Sequence, residues 1–117
     1  MARVGWIDPE ADGLFAEWRD APSDDAVLAR YLGAAHEQCL EFLPHHRDAA
    51  GAWVPRVPDP VPDRLKLAQL LQARALYNAV VTGSGDQQGE GALAVTVFPM
   101  DWTVKNLLRP KTIGGVL

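Results

Sequence analysis

Asp63 to Val81 reads DRLKLAQLLQARALYNAVV, the longest uninterrupted run of good helix formers in the chain. Pro55, Pro58, Pro60 and Pro62 precede it, and Gly83 and Gly85 follow it. Asp63 suits a cap on the first turn. Leu, Ala, Gln, Lys and Arg fill the interior, and all of them lose little rotamer freedom in a helix. Leu67, Leu70, Leu71, Ala75, Tyr77 and Val81 make an apolar face wide enough to need covering from two sides. The stretch therefore predicts the central helix of a small helical domain.

Working outward, Ser23-Asp24-Asp25 opens a second helix that runs to Leu43, where Pro44 stops it. Ser23 is the expected cap, and the two carboxylates suit the positive end of the helix dipole better than they suit an acid/base pair. Leu28, Leu32, Ala35, Cys39 and Leu43 form its stripe. Before it, a short helix is expected from Ala11 to Arg19, with Leu14, Phe15 and Trp18 on one face. Residues 44–62, PHHRDAAGAWVPRVPDPVP, carry five prolines and no helical period. They read as a semi-rigid, extended arm, with Trp53 and Val54 tucked beneath it.

Thr82 to Gly91, TGSGDQQGEG, reads as a flexible surface loop. Ala92 to Phe98, ALAVTVF, reads as a short strand whose partner is either the Trp53 to Val57 region or another chain. Pro99 opens a last helix, Met100 to Leu108, with Trp102, Val104, Leu107 and Leu108 as its contacts. Arg109-Pro110 ends that helix, and 109–117 is a tail with no visible means of folding alone. The fold class expected is mainly α: two long helices, short N- and C-terminal helices, one short strand or hairpin, and a flexible tail.

The chain has 117 residues, of which 48% are hydrophobic, and the simplest organisation is one domain over 1–117. No apolar run approaches the ~20 residues that span a bilayer. The N-terminus, MARVGWIDPEADG, has no apolar signal core, so the expectation is a soluble chain made in the cytoplasm. The lone cysteine, Cys39, fits a reducing compartment. The net charge of -4 argues against gripping a nucleic-acid backbone. It is unevenly spread: residues 1–25 hold seven acids and two bases, residues 63–117 four acids and six bases.

Chemistry is sparse. His36, Cys39, His45 and His46 are the one metal-like group, but their spacing matches no standard zinc motif. The preferred reading is a core thiol with solvated or carbonyl-capping imidazoles, and no metal or cofactor. The glycine loop lacks the Lys-Ser/Thr and the following helix of a phosphate cradle. Ser23 and Ser84 have no nucleophile-elbow setting. No enzyme activity is expected. Arg74, inside the central helix, must either snorkel, reach Glu37 or Glu41, or pair with another subunit.

Taken together, LARYLGAAHEQCLEFLP (28–44), LKLAQLLQARALYNAV (65–80) and VFPMDWTVKNLLRPK (97–111) resemble the head-to-tail connector, or neck adaptor, proteins of long-tailed bacteriophages, those of actinobacteria above all. QARALYN (72–78) and LLRPK (107–111) carry most of the likeness. The resemblance implies a non-enzymatic virion protein. It would form a homo-oligomeric ring, typically twelve copies, below the portal protein. That ring would extend the DNA channel, without sequence-specific DNA binding or membrane contact, and dock the next neck protein. It implies interface roles for Arg74, Trp102, Lys105, Arg109, Pro110, Lys111 and Ile113. The alternatives are another neck or tail-completion protein, or a small helical regulator.

Overall fold

The computed structural model describes residues 2–87 and 100–110. Among them are four helices, α1 (Leu14–Glu17), α2 (Asp25–Phe42), α3 (Asp63–Gln87) and α4 (Trp102–Leu108), and one antiparallel hairpin, β1 (His45–Arg47) with β2 (Trp53–Pro55). The chain is thus mainly α, as its periodicity predicts. No described helix is long and apolar enough to cross a membrane. The expected strand Ala92 to Phe98 and the 111–117 part of the tail lie outside the described residues.

α2 and α3 run antiparallel, and the packing shows it. Cys39 and Leu43, late in α2, meet Leu65 and Ala68, early in α3, in a cluster that also takes Trp6, Met100, Val104 and Leu108. Leu28, Leu32 and Ala35 meet Leu70 and Ala73 in a second cluster, closed by Ile7, Leu14 and Trp18. Two T-shaped ring contacts, Trp18–Tyr77 at 5.9 Å and Tyr31–Tyr77 at 5.2 Å, finish that end.

The central helix departs from its predicted face. Leu67 and Val81 are exposed, whereas Gln69 and Gln72 are fully buried beside Leu65, Ala68 and Ala73. Hydrogen bonding explains the exchange. Gln69 Oε1 accepts from Trp6 N at 2.9 Å, and its Nε2 donates to Val4 O at 3.0 Å and Leu32 O at 2.9 Å. A buried amide that satisfies three partners is no penalty, and it ties the N-terminal turn to both long helices. Gln72 Nε2 donates to Gln38 Oε1 at 2.8 Å.

α3 also continues six residues past Val81, through Gly83 and Gly85 to Gln87, where a loop from Thr82 was expected. Helix propensity does not explain the extension, since each glycine costs ~1 kcal/mol against alanine.

Smaller differences have local causes. Asp24, not Ser23, caps α2, accepting from Ala26 N at 2.9 Å. α1 is one turn rather than nine residues, because Gly13 ahead of it is left-handed at φ 66. Leu14 and Trp18 are buried, but Phe15 between them points out. α4 begins at Trp102 rather than Met100, because Asp101 accepts from Thr103 N at 2.8 Å and caps it there. Val104 and Leu108 are its buried residues, and Trp102, expected inside, is exposed.

The arm holds the unexpected element. Arg47 opposes Trp53 in the hairpin register, and Asp48 organises the turn by accepting from Ala50 N and Ala52 N, both at 2.9 Å. Gly51 supplies the positive φ of 88 that the turn needs. Trp53 is therefore paired with β1 and exposed, not tucked under the arm.

Candidate functional site

The metal-like residues are put to separate uses. Cys39 is buried in the first core cluster, and burial pushes its thiol up to about 12, which makes it an inert apolar group. The His36 ring meets Trp6 edge-on at 4.7 Å, and burial lowers its proton affinity. His45 Nδ1 bonds Leu43 O at 2.7 Å across the end of α2, and its ring stacks on Trp53. Among the described residues no three His, Cys, Asp or Glu side chains are placed to hold a metal.

The residues expected at an interface divide into three groups. Trp102 is 68% exposed at the head of α4, and Pro110 is exposed beyond its end. Lys105 and Arg109 are engaged within the chain. Lys105 Nζ lies 5.9 Å from the Phe42 ring, the Arg109 guanidinium lies 4.6 Å above it, and Arg109 donates to Phe42 O and Leu43 O. They close the C-terminus of α2, where the last carbonyls lack helical donors. Arg74 is half-buried and forms no ion pair with Glu37, Glu41 or any other described residue. Lys111 and Ile113 lie outside the described residues.

Two surface features escape the sequence reading. One is the hairpin tip, where Trp53 is 64% exposed, stacks on His45 at 6.4 Å and carries the Arg47 guanidinium 5.3 Å above its ring. The signal for it was Asp48-Ala-Ala-Gly51, an aspartate and glycine spaced as in a tight turn.

The other is an open cleft of about 440 Å³ between the N-terminal segment and the first turns of α3. Leu14, Leu67 and Leu70 supply its apolar wall, and Glu17 and Asp63 its rim. Lys66 pairs with Asp12 at 3.1 Å, and Arg64 donates to Leu107 O at 2.7 Å. The Asp8 N–H and then Lys66 hold the Asp12 carboxyl below the usual carboxylate range. Both bases are thus occupied, whereas Glu17 and Asp63 have no ion-pair partner among the described residues. The cleft lining has no hydroxyl, thiol or imidazole. What it offers is shape, apolar surface and spare negative charge, which suits docking.

The chain matches no family model, no curated protein and no solved structure.

Proposed function

We propose that this chain is a structural connector of a long-tailed phage. In this reading it is a non-enzymatic subunit whose copies close into a ring of the virion neck, extend the DNA channel below the portal, and dock the next neck protein. The observation that carries the reading is where the large apolar side chains end up. Phe15, Trp53, Leu67, Val81 and Trp102, from four separate elements, are 39% exposed or more on a chain that otherwise buries a two-part core. Exposed aromatic groups spread over several faces suit a subunit covered by more than one neighbour.

The likeness of QARALYN and LLRPK to neck adaptors supports the same reading, as does a helical architecture with two long core helices. Net negative charge suits a conduit that must let DNA slide, since like charge costs contact energy. Electron microscopy of the purified protein mixed with portal tests the proposal. Rings stacked on portal are expected, and a chain that stays monomeric and ignores portal refutes it. The reading predicts no catalytic turnover and no bound cofactor.

A further inference from the structure

We infer that the hairpin tip of one copy docks into the α1–α3 cleft of a second copy. Trp53 is the apolar knob and Arg47 the cation that meets Glu17 and Asp63. The inference rests on the oligomeric part of the connector reading and names its subunit contact.

Three observations carry it. First, the hairpin is built to present its tip: Asp48 and Gly51 lock the turn, Arg47 donates to Gly51 O at 3.0 Å, and Arg47 opposes Trp53 across the strands. The result is an indole held in solvent, with a guanidinium over one part of it and no carboxylate paired to that guanidinium among the described residues. Trp and Arg are enriched among the few residues that dominate the energetics of interfaces.

Second, the cleft is complementary in both respects. It has an apolar wall that includes the exposed Leu67, and its two uncommitted charges are carboxylates. Lys66 is neutralised by Asp12, and Glu17 and Asp63 outweigh the charge of Arg64, whose guanidinium is turned to the end of α4, so the lining carries a net negative charge. An arginine arriving beside an apolar ring is the cation such a rim accepts.

Third, no hairpin residue lines the cleft of its own chain, so the two surfaces stay unsatisfied within the monomer. A knob and a cleft on different parts of one surface make a heterologous contact. Repetition of such a contact closes into a ring or runs on as a filament. That geometry follows from the residues themselves and does not depend on what the ring sits upon.

The test is a charge exchange read by sedimentation and light scattering, with and without portal. Arg47→Glu and Glu17→Arg should each weaken self-association about tenfold or more, because each sets like charges against one another at the contact. The double variant should recover most of it. Trp53→Ala should weaken association to a similar degree and lower the thermal midpoint by only a few degrees, since the side chain is outside the core and its loss removes only the stacking within the hairpin.

As a second readout, chains carrying Trp53→Cys mixed with chains carrying Glu17→Cys should give a cross-linked pair with a short bismaleimide, with the buried Cys39 silent. If wild type associates and all four variants associate equally well, this contact is overturned and the connector reading stands. If the contact forms but portal is ignored, the connector reading falls and the contact stands. A wild-type chain that remains monomeric with and without portal overturns both. Loss of single-stranded DNA binding in Trp53→Ala, with association intact, would assign the tip to nucleic acid and overturn the docking.

Discussion

Replacing Gln69 by leucine removes the α3 side chain that hydrogen-bonds both the N-terminal turn and α2. The substitution nearly conserves volume, so the cost comes from hydrogen bonding. Trp6 N loses its acceptor at 2.9 Å in a buried setting, and an orphaned buried donor costs ~1–3 kcal/mol. The two carbonyls lose less. Val4 O keeps the Ile7 N–H at 3.1 Å, and Leu32 O lies within α2, where the helical ladder supplies a donor.

Adding about 1 kcal/mol for those two together gives a loss of roughly 2–4 kcal/mol, a large share of the ~5–15 kcal/mol that holds a domain of this kind. At about 4 °C per kcal/mol, the thermal midpoint falls by roughly 10 °C. Urea titration followed by circular dichroism measures the loss, and hydrogen exchange at residues 4–7 shows where it lands. Gln72→Leu is the control. It removes one bond, to a half-buried Gln38 that can turn to water, and should cost about 1 kcal/mol. If Gln69→Leu costs no more than Gln72→Leu, or leaves exchange at 4–7 unchanged, Gln69 is not the tie.

Gly5→Ala should destabilise by more than ~2 kcal/mol in the same titration, because φ is +62 and the added Cβ would stand 2.6 Å from His36 Cγ and 2.9 Å from Gln69 Nε2. Cys39 should resist maleimide in native buffer and react only as fast as the protein unfolds, since its thiol is buried and pushed up to about 12. His36 makes stability depend on pH. Burial disfavours its charged form and outweighs the opposite pull of Glu37, so the folded chain takes up its proton at lower pH than the unfolded chain. Its contribution is therefore full above the ordinary histidine value of about 6.5 and is lost as pH falls through the folded value. Urea midpoints between pH 8 and 5 should fall on the acid side for wild type and flatten in His36→Gln.

The helices α2 and α4 were legible to within a residue or two because their punctuation is local: Ser23 stood in for the cap that Asp24 supplies, and Met100 for a start that Asp101 sets at Trp102. The hairpin was not legible from strand propensity, because its strands are three residues each and one ends on proline. Its stability comes from the Asp48 turn and from side chains stacked across it. Of the surface residues, Trp102 and Pro110 could be named from sequence, but the sequence reading took Trp102 for a core contact. Arg109 could not be separated from them, because its engagement with Phe42 spans 67 positions of chain and leaves no trace in any window. The cleft is assembled from residues between positions 7 and 107, and no periodicity reports it.

The exchange of Leu67 for Gln69 on α3 links fold to function. A helix face chosen for apolar burial alone would rotate to cover Leu67, which at 39% exposure forgoes part of the ~1.5–3 kcal/mol that full burial of a leucine contributes. The three hydrogen bonds of Gln69 offset that loss only because the Trp6 N–H is there to donate and the Val4 and Leu32 carbonyls to accept. Anchoring the N-terminal segment in this way brings Ile7, Asp12 and Leu14 against the first turns of α3 and so creates the cleft that Leu67 lines. The buried amide and the exposed leucine are thus one design seen from two sides. Gln69→Leu should lower stability and also loosen the cleft wall, so that self-association weakens even at temperatures where the chain remains folded. Unchanged association by a folded Gln69→Leu chain would separate the two and leave the exposed leucine without a role.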